Sequence, residues 1–331
     1  MKRQLPPRTK RIIWIAIGLV AVVIFLYGLE HAGLKAIKLI ETGLLAMTPL
    51  ALAAVGECIN QKAGTINIGL EGILLITCVA GVYGAELFDS GAVGLLIGSL
   101  TGALIGLLFG IICVYGIADQ VVAGMGLNVF ALGFVPFLLM AIWAFPGIHI
   151  FPRRLMVSTI STPIGRLSPV TLATIAIAIL AHLFLYKTLL GLRIRATGEK
   201  PEAVDVAGAR VDYLRIFACT VGGALCGLGG AFMALGWFGG IVKEISAGRG
   251  YIALACVVFA GLEPLLALAA AFIFGFVEGL AHWVAVVPGV KEVVPFYFVN
   301  MIPYIVTLLV VAGVIGRRRF PSASGKPYIR E

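Results

Sequence analysis

Long apolar stretches alternate with short polar breaks along almost the whole chain. A helix that crosses a bilayer needs about 20 apolar residues. By that rule the pattern predicts about ten membrane segments, near 12–29, 35–57, 68–87, 91–116, 120–145, 168–189, 211–236, 247–262, 264–286 and 298–316. The 247–262 segment is short and also fits a re-entrant element. The expected fold is all-α and polytopic: one transmembrane domain over 12–316, a basic start (1–11) and a basic tail (317–331).

Two of the breaks are patterned. Gly191–Arg210, GLRIRATGEKPEAVDVAGAR, carries Arg193, Arg195, Lys200 and Arg210, and an excess of Lys and Arg marks a cytoplasmic loop. Within it Glu199 and Lys200 precede Pro201, whose fixed φ suits a first helical position. Glu202 favours the positive end of a helix dipole, Asp205 follows, and Gly208 is a C′ stop. A helix over Pro201–Ala207 rises only ~10 Å, too little to span a membrane, and alone in water it is marginal. It reads either as an element presented to a partner or as part of a solvated turn.

The other patterned break is Gly56–Gly72, GECINQKAGTINIGLEG. Its glycines and polar side chains predict interrupted helices, and irregular backbone at membrane depth persists only where protein or water satisfies it. Asn67 and Glu71 read equally as lining of a permeation path or as structural caps. For Glu57 and Lys62 the structural reading is preferred, a cytoplasmic turn with the carboxylate capping a helix and pairing with Lys62. Asn128, Glu278, His282 and Asn300 also interrupt apolar segments. An ionised group at the bilayer centre costs roughly 2.5–3.5 kcal/mol on insertion scales, so Asn67, Glu71, Asn128 and Glu278 are the path candidates. His282 reads as a packing residue.

The Pro146–Pro169 loop is expected outside, yet carries Arg153, Arg154 and Arg166 with no acid. Either an acidic soluble partner or lipid headgroups would account for these cations. Gly94, Gly98, Gly102, Gly106 and Gly110 form a stripe at every fourth residue, and Gly222, Gly223, Gly227 and Gly230 form a second small face. Such faces let helices approach closely, and packing within the chain is preferred over a subunit interface. Ile66–Gly81 resembles Ile245–Gly261, each a Gly-broken polar stretch running into an apolar helix. Transporters built from repeats place broken segments at corresponding positions near the substrate path.

Composition agrees. Of 331 residues, 60% are hydrophobic and 12% charged, against roughly 25% charged in soluble domains. The mean hydropathy is +1.06. The net charge of +9 gathers at the two ends and in one loop, which points to anionic lipid and cytoplasmic termini rather than nucleic acid. Two cytoplasmic ends require an even number of spans. The Ile12–Leu29 run has no small-residue cleavage site after it and reads as a retained span. The six cysteines lie in or beside apolar segments without CxxC pairs and read as packing residues, so no metal or cofactor is expected. No GxxxxGK[ST], GxSxG or HExxH motif is present, so the chain cannot bind ATP in the P-loop manner.

Taken in order, GECINQKAGTINIGLEG, RATGEKPEAVDVAGARV and SAGRGYIALACVVFAGLEP resemble blocks of permease subunits from the simple-sugar and nucleoside branch of ABC importers, over most of residues 42–316. The resemblance implies a membrane subunit with no ATPase of its own. Its partners would be a cytoplasmic ATPase subunit, a second permease, identical or paralogous, and an extracytoplasmic binding protein or lipoprotein. Glu199–Gly208 would be the ATPase-coupling helix, and the external arginines would meet the binding protein. The forms AGTINIGLEG and GRGYIALA look closer to nucleoside than to ribose permeases. CINQK at Cys58–Lys62 departs from the acid/Arg pair more common in that family, which puts one salt bridge in doubt. An ion-coupled secondary transporter using Glu71, Glu278 and His282, or a membrane scaffold assembling through the Gly94–Gly110 stripe, are the alternatives.

Overall fold

The computed structural model describes residues 36–145, 147–162, 165–286, 301 and 320–329. The expected spans at 12–29 and 298–316, the basic start and Asn300 lie outside these, as does the side chain of His282. The described helices are α1 (Ala36–Lys62), α2 (Leu70–Leu87), α3 (Gly91–Val114), α4 (Gln120–Trp143), α5 (Pro169–Lys187), α6 (Leu189–Glu199), α7 (Pro201–Val206), α8 (Val211–Phe232), α9 (Arg249–Ala260) and α10 (Pro264–Val286). Among the described residues seven helices are long and apolar enough to cross a membrane, α1 to α5, α8 and α10.

Helix limits follow local chemistry. Asp119 Oδ1 accepts from the Val121 and Val122 amides at 2.9 and 3.0 Å and caps α4. Ser168 Oγ accepts from Val170, and Pro169 opens α5, where its missing N–H has no role to lose. The last turns of α8 widen into a π-helix, Met233–Phe238, which stops at Gly239 with φ 71°.

Two expectations are corrected and one left open is narrowed. The segment near 247–262 holds a helix of 12 residues, about 18 Å at 1.5 Å per residue and short of a bilayer's ~30 Å hydrocarbon core. The Gly56–Gly72 break is narrower than its polarity suggests. Helix α1 carries Glu57, Asn60 and Gln61 and ends at Lys62, so only 63–69 are non-helical. The 191–210 loop is also more ordered than a turn with one helix. Gly191, Ile194, Thr197 and Gly198 bury one face of α6 before α7 begins, and α7 ends at Val206, one residue earlier than expected.

Burial sorts the bundle. In α1 and α2, 72% and 78% of the most apolar window is inside the protein, against 28% and 22% for α3 and α4. The first two are therefore the centre and the second two the flank. Helix α3 turns its glycines inward and Leu96, Leu100, Leu104 and Leu108 outward. The inward stripe meets the small face of α8. A methyl on Gly102 would lie 2.6 Å from the Gly227 Cα, one on Gly98 2.4 Å from the Ala231 Cβ, and one on Gly106 2.3 Å from the Cys219 carbonyl oxygen. These glycines pack within the chain, where backbone contact supplies dispersion energy.

At one end, β1 (Ile148–Ile150) pairs antiparallel with β4 (Gly240–Val242), His149 opposite Ile241, and β2 (Ile160–Thr162) with β3 (Gly165–Leu167). Glu86 fastens β1 to the bundle, bonding His149 Nε2 at 2.6 Å and Trp143 Nε1 at 2.7 Å. The opposite end carries the 63–69 break, α6, α7 and residues 320–329, with Gly64 against Gly198 and Ala323.

Candidate functional site

The two segments alike in sequence meet in space. Glu71, in the first turn of α2, reaches the loop that leads into α9. Its Oε1 accepts from Ser246 Oγ at 2.5 Å and the Gly248 amide at 2.7 Å, and its Oε2 accepts from the Gly250 amide at 2.7 Å. Glu71 is 8% exposed, so this carboxylate is held almost entirely by protein donors. A carboxylate accepting backbone amides at a helix start is stabilised by charge-assisted bonds and by the dipole. Gly250 makes room for it: a Cβ there would lie 2.5 Å from Glu71 Cα.

Asn128 holds the same junction from α4, about 12 Å along that helix from its start at 1.5 Å per residue. Its Oδ1 accepts from the Gly72 amide at 2.8 Å, and its Nδ2 donates to Ile68 O at 3.0 Å and Tyr251 Oη at 3.1 Å. Asn67 Oδ1 accepts from the Gly69 amide at 2.8 Å. Asn67, Glu71 and Asn128 therefore come together, all buried; Asn67 and Asn128 bond the non-helical backbone between α1 and α2, and Glu71 bonds the start of α9. They stand there with Ser246 and Tyr251, which residue type alone did not single out; the 66–81/245–261 repeat was the signal that could have found them.

Below the junction, Glu57 Oε1 accepts from Gln61 Nε2 at 3.0 Å and the Asn67 amide at 2.9 Å, while Oε2 accepts from Asn60 Nδ2 at 3.0 Å. The expected Glu57–Lys62 pair is not formed. The Lys62 ammonium instead lies 6.0 Å from the centre of the Tyr186 ring. Gln120 Oε1 accepts from the Ile66 amide at 2.7 Å, tying the break to α4.

Glu278 reaches the edge of the junction from α10. It pairs with Arg249, the first residue of α9, and both are buried to within 13% at their side chains. The Arg249 guanidinium also lies over Trp237, 4.8 Å from the ring centre, and Nη1 donates to Ile245 O at 2.9 Å. On its other side is a cavity of about 1080 Å³ at the β1/β4 end, lined among others by Arg153, Arg166, Arg249, Glu244, Phe238 and Ser158. Two of the three loop arginines thus face one cavity. The third, Arg154, pairs with Asp89 at 3.1 Å, both well exposed, so the turn before α3 supplies the acid that the loop lacks.

At the opposite end Glu202, Ala203, Val206, Ala207 and Gly208 are exposed on and just after α7, while Pro201 and Val204 anchor it. Gly208 takes φ 81° and closes the turn, and Lys200 N bonds Ala196 O at 2.8 Å, passing the chain from α6 to α7. Val206 is 91% exposed, an apolar side chain beside the exposed Ala203 and Ala207. Among the described residues no group of three His, Cys, Asp or Glu side chains converges as a metal site.

A family model described as the permease component of branched-chain amino acid transport systems matches residues 39–311. The guanosine ABC transporter permease protein NupQ of Bacillus subtilis is 33% identical over 308 residues, covering 88% of this chain and 96% of its own. The nucleoside ABC transporter permease protein NupC of Lactococcus lactis is 32% identical, covering 87% and 95%. A putative glucose ABC transporter permease protein of Haloferax volcanii, TsgC13, is 31% identical over 73% of this chain and 76% of its own. No solved structure matches. A helical bundle with two broken segments joined at Glu71, matched across residues 39–311, belongs to the family of branched-chain amino acid transport system permease components.

Proposed function

We propose that this chain forms the translocation path of an ATP-driven importer in the cell membrane, taking up a nucleoside. The observation that carries the substrate is identity of 33% to a guanosine permease across 96% of that protein's length. The mechanism rests on geometry. An exposed helix, α7, stands at one end, and a large cavity with Arg153, Arg166 and Arg249 opens at the other.

In this reading the α7 end is cytoplasmic. Glu199, Lys200, Pro201, Glu202, Asp205 and Gly208 form the seat for an ATP-hydrolysing subunit, with Val206 entering its groove. The cavity end faces outward. There Arg153, Arg154 and Arg166 receive an extracytoplasmic binding protein that presents acidic groups, and Phe238 offers a released base an aromatic face. A second permease subunit, identical or paralogous, completes the path. Asn67, Glu71, Asn128 and Glu278 act in the path as the hinge that holds its broken segments: Glu71 and Asn128 fix the α2 and α9 starts, and Glu278 holds Arg249 at the cavity floor. ATP-driven displacement of α7 changes the relation of these segments and opens the cavity inward.

The test is uptake of labelled guanosine into vesicles bearing the complete complex, with glucose as comparison. ATP-dependent guanosine uptake that stops when hydrolysis is blocked supports the reading. Uptake driven by an ion gradient with no ATPase present overturns it.

A further inference from the structure

Residues 320–329 lie across the α6/α7 end, with Pro321 and Ala323 buried. Ser322 Oγ donates to Glu199 O, and the Ala323 amide donates to Gly198 O at 2.9 Å. The Gly325 amide donates to Gly64 O at 3.0 Å, at a residue with φ 74° that favours glycine. Arg215 Nη1, from α8, donates to Lys326 O at 2.9 Å. Tyr328 Oη donates to Asp205 Oδ2 at 3.1 Å. One short segment thus grips the turn before α7, the last turn of α7, and the 63–69 break.

These grips are mechanically distinct. Helix α7 has six residues, too few to be stable or stiff by itself. Its displacement reaches the interior through whatever its two ends are tied to, which is α6 and α8 along the chain and, across it, residues 320–329. The Ser322 bond ties the chain just before Pro201, and the Tyr328 bond ties Asp205. The Gly325 bond reaches Gly64, three residues before Asn67 and seven before Glu71.

We propose that Ser322, Gly325 and Tyr328 are positioning residues for coupling: they strap α7 to the 63–69 break, so that movement of α7 is delivered to the Glu71 junction. This rests on the importer reading above. The strap touches neither substrate nor nucleotide, and its work is to keep two elements moving as one body.

The experiment reconstitutes the chain with its ATPase and binding protein in proteoliposomes and follows guanosine import and ATP hydrolysis together. The Ser322→Ala/Tyr328→Phe double variant removes two hydroxyl bonds and leaves the backbone bonds in place. Guanosine imported per ATP should fall roughly fivefold or more, as two lost hydrogen bonds would give, with basal hydrolysis and co-purification of the ATPase unchanged. A segment that merely packs would lower the yield of complex and leave that ratio at the wild-type value, which overturns the proposal. Hydrogen exchange on the same complexes gives a reading independent of transport. Amides of 201–206 should lose protection in the double variant while 63–69, still held through the Gly325 amide, keep theirs; unchanged protection at 201–206 also overturns the strap. A wild-type complex that hydrolyses ATP and imports neither guanosine nor glucose sinks the importer reading, and the exchange data then decide the strap alone.

Discussion

Replacing Glu71 by alanine removes the acceptor of three donors at once, Ser246 Oγ and the Gly248 and Gly250 amides. The serine hydroxyl can rotate toward another acceptor, but the two amides are fixed by the start of α9. A buried donor left without a partner costs about 1–3 kcal/mol, so the two amides set a loss of about 2–6 kcal/mol. That is a large share of the ~5–15 kcal/mol that holds a typical domain. Glu71→Gln is milder. Its carbonyl can still accept from Ser246 and Gly248, but its amide nitrogen faces the Gly250 N–H, a donor against a donor. One charge-assisted bond is lost, worth about 1.5–3 kcal/mol. Thermal unfolding of the purified protein in detergent should rank wild type above the glutamine and alanine variants in that order. Hydrogen exchange should show the Gly248 and Gly250 amides opening first, because their acceptor is gone. Alanine and wild-type proteins with equal midpoints and equal protection at Gly248 and Gly250 would refute the assignment of Glu71 as the joint between α2 and α9.

Gly102→Ala should destabilise by about 1–3 kcal/mol through overpacking, since its methyl would meet the Gly227 backbone at 2.6 Å. Gly126→Ala in α4 meets nothing within 4 Å and should be neutral or stabilising in the same melt, because alanine outranks glycine in a helix. Glu202→Lys with Asp205→Lys, or Val206→Asp alone, should lower recovery of the ATPase on affinity purification while leaving membrane insertion unchanged; undiminished recovery counts against α7 as the docking element. Arg154→Ala should change stability by no more than ~1 kcal/mol, because its pair with Asp89 is exposed. Arg153→Glu with Arg166→Glu should raise the binding-protein concentration needed for half-maximal uptake, most at low salt.

The sequence carried much of the outline because membrane helices are specified locally. An apolar stretch of sufficient length satisfies its own backbone and has one stable form in lipid, so the segments near 91–116, 120–145 and 168–189 appear within a few residues of α3, α4 and α5. The same local logic located Pro201 and Gly208 at the two ends of α7. It failed where local preference was overruled. Glu57, Asn60 and Gln61 read as a break, yet they stay helical because their polar groups bond one another and the Asn67 amide inside the fold. The site was half legible. Asn67, Glu71 and Asn128 are conspicuous as polar residues in apolar surroundings. The partners of Glu71, which are Ser246, Gly248 and Gly250, lie more than 170 residues away, and only the 66–81/245–261 likeness hints at them.

What the sequence by itself determined is therefore the inventory: membrane helices, a short polar helix between two of them, two Gly-broken segments alike in pattern, and basic loops. These depend on hydrophobic length and backbone chemistry, which act over a few turns of chain. Only the tertiary structure decided which pieces touch. It set the α3 glycines on α8, joined the two broken segments through one carboxylate, turned Arg153 and Arg166 toward Arg249, and laid residues 320–329 across α7. Each of these is a contact between distant parts of the chain, and its energy comes from close packing and from satisfying buried polar groups, neither of which is defined until the helices have assembled.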